Sequence, residues 1–234
     1  MTLLSIGSDA KTVKGEKLGY YTAIQYLAPS DESGVMNTCP NASAGCRAAC
    51  LYTAGFAGVY KSVNESRMNR TKSFFENRNN HLLQIINEIK SLIKKAAKDG
   101  KVPCIRLNGT SDIAWESVKY DGKNMMEHFP DIQFYDYTKN PNRMKRFIQG
   151  KLPKNYSLTF SRSEENQKHV DEILALGGNV AVVFRNALPS TYLGKTVING
   201  DESDLRFNDG ENVIVGLTQK GKAKKDESGF VVTA

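Results

Sequence analysis

Three cysteines within twelve residues, Cys39, Cys46 and Cys50, restrict this chain more than any other part of its sequence. Their spacing is C-x6-C-x3-C, inside the turn-rich segment 37–55. Thiolates crowded this closely repel one another unless a cation holds them, and a metal ion or an iron–sulfur cluster is the usual partner. Pro40 and Gly45 bend the first half of the segment into a loop. The run 46–52, rich in alanine and free of breakers, predicts the start of a helix that sets Cys50 one turn from Cys46. The segment reads as a three-thiolate metal site. Two other readings use the same residues. A structural zinc ion would need a fourth ligand from Cys104, His81, His128 or His169, and buried inert thiols would need no metal.

The compartment bears on this choice. No apolar run approaches the ~20 residues that cross a bilayer, and the N-terminus lacks a basic segment followed by an apolar core. The expectation is a cytoplasmic protein with no membrane partner, in which thiols stay reduced and serve metals or redox chemistry rather than a disulfide framework. The net charge of +7 permits nucleic acid or another polyanion as a partner. The excess is scattered over Lys11, Lys14 and Lys17, over Lys94, Lys95 and Lys98, over Arg143, Lys145 and Arg146, and over Lys220, Lys222, Lys224 and Lys225. Runs of this kind also read as solvated faces and tails.

The chain of 234 residues is long enough to bury a core and shows no linker. Residues 1–19 have no sustained period and predict an irregular or hairpin-like lead-in. Residues 20–27 are aromatic and β-branched and predict the first strand, so that the cysteine loop follows it directly. Residues 62–98 predict helix, interruptible at 77–80. Leu82, Ile85, Ile86, Ile89, Leu92, Ile93 and Ala96 form an apolar stripe that ends at Asp99-Gly100. Strands are predicted at 102–108, 132–138, 156–161, 179–184 and 212–218, with shorter ones at 196–199 and 205–207. Between them fall helices at 123–128, after Asn140-Pro141, and from a cap at Ser163 to Gly177-Gly178. This alternation means βα units and a parallel sheet in one α/β domain, residues 1–234, with 219–234 as a flexible basic tail. Several strands carry one polar face: Cys104, Arg106 and Asn108 oppose Ile105 and Leu107, and Ser157, Thr159 and Ser161 oppose Leu158 and Phe160. Burying such a face dry costs about 1–3 kcal/mol per group, so a partial (β/α) barrel with a polar lumen is the expected architecture.

The stretch 106–112 falls at the C-terminal end of a predicted strand, where α/β folds place ligands. Gly109 allows close approach, and Asn108, Thr110, Ser111 and Asp112 supply donors and acceptors. An Asx-type turn uses the same residues. Trp115 can wall the same cavity or pack in the core, and Arg67 and Arg70 can face an anion or solvent. No Ser-His-Asp order, Walker loop or dinucleotide fingerprint is present.

The cysteine loop after a first strand, followed by roughly five βα units, resembles the radical S-adenosylmethionine superfamily. That resemblance implies a partial barrel, a [4Fe-4S] cluster on Cys39, Cys46 and Cys50, and an open iron that binds S-adenosylmethionine. It also implies contact between that cofactor and Asn108, Gly109, Thr110, Ser111 and Asp112. The usual spacing in the superfamily is C-x3-C-x2-C. Segments 15–20, 26–29, 39–55 and 106–112 also resemble a bacteriophage protein family, which implies phage origin, a host-cell cytoplasmic setting and metal binding. Two functions follow. One is a phage-type iron–sulfur protein with a cluster beside a polar cavity, whose status as a radical enzyme stays open. The other is a non-enzymatic basic module, stabilised by a closed cluster or zinc, that binds nucleic acid or a host protein. A fourth thiolate from Cys104 favours the second.

Overall fold

A computed structural model describes residues 1–7, 10–50, 52 and 54–233. The chain is mixed α/β, with nine strands in the order β1-β2-β3-β4-β5-β6-β9-β8-β7. The pairing is mostly parallel, β1 and β7 are the outer strands, and no pairing closes the sheet among the described residues. The chain divides into two compact units.

The first unit comprises Met1–Cys39, Glu65–Asp136 and Leu152–Ser157. Strand β1 (Leu4–Ile6) lies antiparallel to β2 (Tyr20–Gln25), and β2 is parallel to β3 (Val102–Arg106), with Tyr20 opposite Val102 and Ile24 opposite Arg106. Strand β4 (Gln133–Thr138) continues the parallel order with Ile105 opposite Phe134. Residues 1–19, expected as an irregular or hairpin-like lead-in, hold regular elements at their described positions. They contain β1 and helix α1 (Ala10–Lys17), because Leu3 and Leu4 are buried and their N–H groups donate to the Glu88 carboxylate at 2.9 and 2.7 Å. In consequence the cysteine segment follows the second strand, not the first.

Helices α4 (Lys61–Glu76) and α5 (Arg78–Lys98) meet the expected interruption at Asn77. On α5 the stripe Leu82, Ile85, Ile86, Ile89, Leu92 and Ala96 is buried and packs on β2 and β3. Each large side chain there contributes about 1.5–3 kcal/mol of burial. Gly100, at φ +62°, stops the helix, and the Lys101 N–H closes the end on Ala96 O at 2.9 Å, the six-to-one bond of a Schellman end.

The second unit comprises Pro40–Asn64, Tyr137–Lys151 and the chain from Leu158 on. It holds helices α2 (Ala44–Ala48) and α3 (Phe56–Val59), and, past the short α6 (Met125–His128) of the first unit, α7 (Pro141–Ile148) and α8 (Gln167–Ala175). Asn140 caps α7 as expected, its side chain accepting from the N–H groups of Asn142 and Arg143. Strand β5 (Tyr156–Ser161) pairs in parallel with β6 (Val180–Phe184), and β6 with β9 (Ile214–Thr218). Strand β8 (Lys195–Asn199) pairs in parallel with β9 and antiparallel with β7 (Thr191–Tyr192).

Three local expectations are corrected in this unit. Ser163 does not cap α8; Asn166 precedes it and turns the chain by accepting from Ser163 N–H at 2.7 Å and donating to Ser161 O at 3.0 Å. Residues 205–207 form no strand, because Arg206 is buried and pairs with Asp209 in a 3₁₀ turn over Arg206–Asn208. The expected flexible tail is packed: Gly221–Lys225 form a 3₁₀ turn, Ala223, Phe230 and Val231 are buried, and Val232 bridges to Phe184 of β6. Among the described residues no helix is long and apolar enough to cross a membrane.

Candidate functional site

The first cysteine is set by its neighbours on both sides. Thr38 is buried, donating its N–H to Ser30 O at 3.0 Å and its hydroxyl to Ala28 O at 2.7 Å. The Asn37 side-chain oxygen accepts from Cys39 N–H at 2.8 Å, an Asx turn that fixes the direction of the thiol. Cys39 Sγ lies 3.7 Å from Thr110 O, as a donor, and Thr38 O accepts from Asp112 N–H at 2.8 Å. The structure thus brings Cys39 against the 108–112 loop.

That loop is bolted to the end of β2. Gly109 N–H donates to Gln25 O at 2.9 Å, and the Thr110 hydroxyl donates to Leu27 O at 2.5 Å. A Cβ on Gly109 would stand 2.7 Å from Gln25 O and 2.5 Å from the Tyr26 ring. The glycine makes room for the β2 end. Asn108 is buried and fully used: its oxygen accepts from Ser111 Oγ (2.8 Å) and Ile113 N–H (2.9 Å), and its amide donates to Ile113 O (2.9 Å) and Asp136 Oδ2 (3.2 Å). An Asn side chain has no further capacity. The turn reading accounts for Asn108 and Gly109, which are committed to the fold; Thr110, Ser111 and Asp112 are half-buried.

Behind the loop stands Asp136, in the interior of β4 and 1% exposed. Its carboxylate accepts from Asn108 N–H (2.7 Å), from the Asn108 amide and from the Tyr156 hydroxyl (2.9 Å). A buried carboxylate costs several kcal/mol unless it is satisfied in this manner. Asp136 escaped the sequence reading, although an acid between aromatic residues in a strand is a visible signal.

The second cysteine belongs to α2, and the third follows its end. Ser43 caps it, accepting from Cys46 N–H at 3.2 Å and donating to Glu164 at 2.8 Å, while Gly45 N–H donates to the same carboxylate at 2.6 Å. Gly45 is closely seated, since a Cβ there would meet Ser228 Oγ at 2.2 Å. Because the cap lies at Ser43, α2 spans Ala44–Ala48 and ends before Cys50, whose N–H reaches Arg47 O at 3.3 Å. The expected helix from Cys46 to Tyr52 is corrected accordingly; Leu51 and Thr53 lie outside the described residues. Cys46 packs against a cluster of Ala49, Ala223, Phe230 and Val231. Glu164 gave no signal in the sequence.

All four cysteines are thiols, Cys39, Cys46 and Cys50 half-buried and Cys104 sealed in the core at 3.3 Å from Thr22 Oγ1. Among the described residues, no three or more of His, Cys, Asp and Glu converge as a metal site. The expected fourth ligands for zinc are engaged elsewhere. His81 lies between Gln25 (2.6 Å) and Ser73 (3.1 Å), His128 Nε2 meets Tyr120 O at 2.8 Å, and His169 lies against Glu172 at 3.4 Å. Trp115 is core, its ring 5.1 Å from Phe74. Arg67 is buried with its guanidinium 4.9 Å over the Tyr26 ring, and Arg70 donates to Thr2 O. Burial and the Arg67 charge hold Arg70 below the usual arginine range.

A family model described as gene product 88 (GP88) matches residues 2–234. No curated protein matches the chain, and no solved structure matches it.

Proposed function

The chain belongs to the gene product 88 family, a phage-type family, and on that premise we propose that it is a thiolate-metal protein whose Cys39, Cys46 and Cys50 hold an iron–sulfur cluster. The observation that carries the reading is the contrast among its four cysteines: three within residues 39–50 are only half-buried and form no disulfide, while the fourth is buried in a strand. Inert structural thiols would be buried like Cys104. The donor set suits a thiophilic metal in kind. It is not gathered into a group of three, so the reading requires that binding draw the loop together, with metal affinity and loop ordering linked.

A bound cluster would supply electron-transfer capacity and a Lewis-acidic iron. The chain's own part is to deliver and orient the thiols. Asn37 and the 108–112 loop set Cys39, and Ser43 with Glu164 sets the start of α2 and so Cys46. Cys39 donates its thiol proton to Thr110 O, so ligation releases that proton and metal affinity rises with pH. The groups at Asn108 and Gly109 are used in hydrogen bonds within the protein.

Anaerobic purification with iron, sulfide and zinc analysis, followed by cadmium titration of the metal-free protein, tests it. Cys39→Ser, Cys46→Ser and Cys50→Ser should each remove the metal and the sulfur-to-cadmium absorption, whereas Cys104→Ser should keep both. A native protein that holds no metal anaerobically and gives no thiolate absorption with cadmium overturns the proposal. Stoichiometric zinc without sulfide overturns the cluster and leaves a zinc-thiolate module.

A further inference from the structure

In the second unit a cation stands immediately after each of three neighbouring strands: Lys139 after β4, Arg162 after β5 and Arg185 after β6. The strand ends adjoin, since Lys139 Nζ donates to Ser161 Oγ at 2.8 Å and Arg162 N–H donates to Ala181 O at 2.9 Å. In α/β sheets the carboxyl ends of strands are where ligands bind. Here the C-terminal strap, residues 221–232, lies on them. Arg162 donates to Gly229 O (2.5 Å) and Phe230 O (3.0 Å), and Arg185 to Asp226 O (2.5 Å) and Lys224 O (3.4 Å). Lys139 Nζ sits 5.6 Å from the Phe230 ring centre.

We propose that this row is a binding site for phosphoryl oxyanions and that the C-terminal strap is its built-in plug, the strap's backbone carbonyls standing where ligand oxygens would go. Two observations carry this beyond a tail that happens to be clipped. First, the guanidinium groups, forked donors suited to oxyanions, meet only neutral carbonyls in these four bonds, and a hydrogen bond to an anionic oxygen is roughly twice as strong. Of the strap's two acids, Glu227 is exposed, and Asp226 hydrogen-bonds its carboxylate to Ser228 and Val231 N–H, so that it reaches Arg185 through its charge and not through a hydrogen bond. Second, Arg162 Nε is buried and has no hydrogen-bond partner among the described residues, so the strap leaves one donor of the row unanswered. The strap holds its place through the burial of Ala223, Phe230 and Val231 and through a bridge to β6, where Val232 N–H donates to Val183 O at 2.8 Å and Arg185 N–H to Val232 O at 2.8 Å. The row's cations are not thiolate ligands, although Phe230 and Val231 of the strap pack in the cluster that Cys46 joins.

The test uses the full chain with Phe230→Ala, which removes the strap's largest anchor. Hydrogen exchange should show residues 221–232 opening while β5, β6 and β9 stay protected. Calorimetry with sodium tripolyphosphate should then give at least a tenfold gain in affinity over the native chain, and Arg162→Ala or Arg185→Ala in the same background should cancel it. A strap that opens without a gain, or a gain that survives both arginine substitutions, overturns the proposal. If Phe230→Ala does not fold, the native chain serves: tripolyphosphate should speed exchange of 221–232 by reciprocal linkage, and unchanged exchange overturns the proposal. A fluorescent single-stranded oligonucleotide separates the sources of phosphate. Tighter binding than tripolyphosphate, with a log–log salt slope of about 2 for three neutralised phosphates, assigns the site to a nucleic-acid backbone; equal or weaker binding assigns it to a small phosphate compound.

Discussion

His81 should make the native state acid-sensitive in a way that one substitution removes. The ring is 1% exposed, wedged between Gln25 and Ser73 with Phe74 edge-on at 5.5 Å. Burial, then the charges of Arg70 and Arg78, push its pKa from 6.5 down to about 4. Whichever way the Gln25 amide is turned, the folded protein keeps the ring neutral. The unfolded chain takes up a proton near pH 6.5 and the native one only near 4, so the unfolded state binds more protons between these values. The contribution is therefore complete above about pH 6.5 and is lost as pH falls towards 4. At 1.36 kcal/mol per pH unit the whole loss is about 3 kcal/mol, and about 2 kcal/mol is gone by pH 5. That is a large share of the roughly 5–15 kcal/mol typical of a domain. Trp115, the single tryptophan, is buried in the same unit and packs on the same Phe74, so its fluorescence reports unfolding there. Urea titrations at pH 7.5 and 5 should show native stability falling by about 2 kcal/mol more than that of His81→Gln, because the carboxylates that also titrate are common to both proteins. Equal pH dependence in the two would refute the buried neutral ring.

Two other substitutions probe the loop against Cys39. Gly109→Ala forces a Cβ to within 2.7 Å of the Gln25 carbonyl oxygen, which cannot swing away as a flexible side chain can. Overpacking of this kind costs about 1–3 kcal/mol, a melting temperature lower by roughly 2–12 °C for a chain of this size; a loss under about 1 °C by thermal scan would mean that β2 and the loop are not in contact. Asp136→Asn sets an amide donor against three donors and should cost about 2–3 kcal/mol, against about 1 kcal/mol for Tyr156→Phe, which removes one of them. Asp136→Asn should also change the alkylation rate of Cys39 more than that of Cys46, read by mass spectrometry. Equal stability costs for the two substitutions, with unchanged Cys39 reactivity, would separate Asp136 from the cysteine segment.

What could be read from the sequence was local. The α5 stripe repeats within one helix, Asn140 caps a helix that begins at the next residue, and Gly100 stops a helix that ends two residues before it. What could not be read depends on remote partners. Strand β1 is held because Glu88, 85 positions from Leu3, accepts from its backbone. The cysteine helix starts two residues early because Ser43 answers to Glu164, 121 positions away. Asn108 reads as a ligand donor until Asp136, 28 positions on, is seen to claim its amide and its N–H.

The same distinction bears on the two candidate sites differently. The cysteines are a local pattern, so their spacing names a chemistry, but what positions each thiol is remote and invisible in the sequence. The cationic row is the converse. Lys139, Arg162 and Arg185 are unremarkable singly, lie 23 residues apart at each step, and acquire a common edge only once β4, β5 and β6 are neighbours. A run of Lys220, Lys222, Lys224 and Lys225 reads as a free tail because its charges are local, yet the tail's place is set by two arginines that bind its carbonyls rather than its side chains. Backbone acceptors carry no sequence signature, so a plug that works through them is legible only when the strand ends it covers are known.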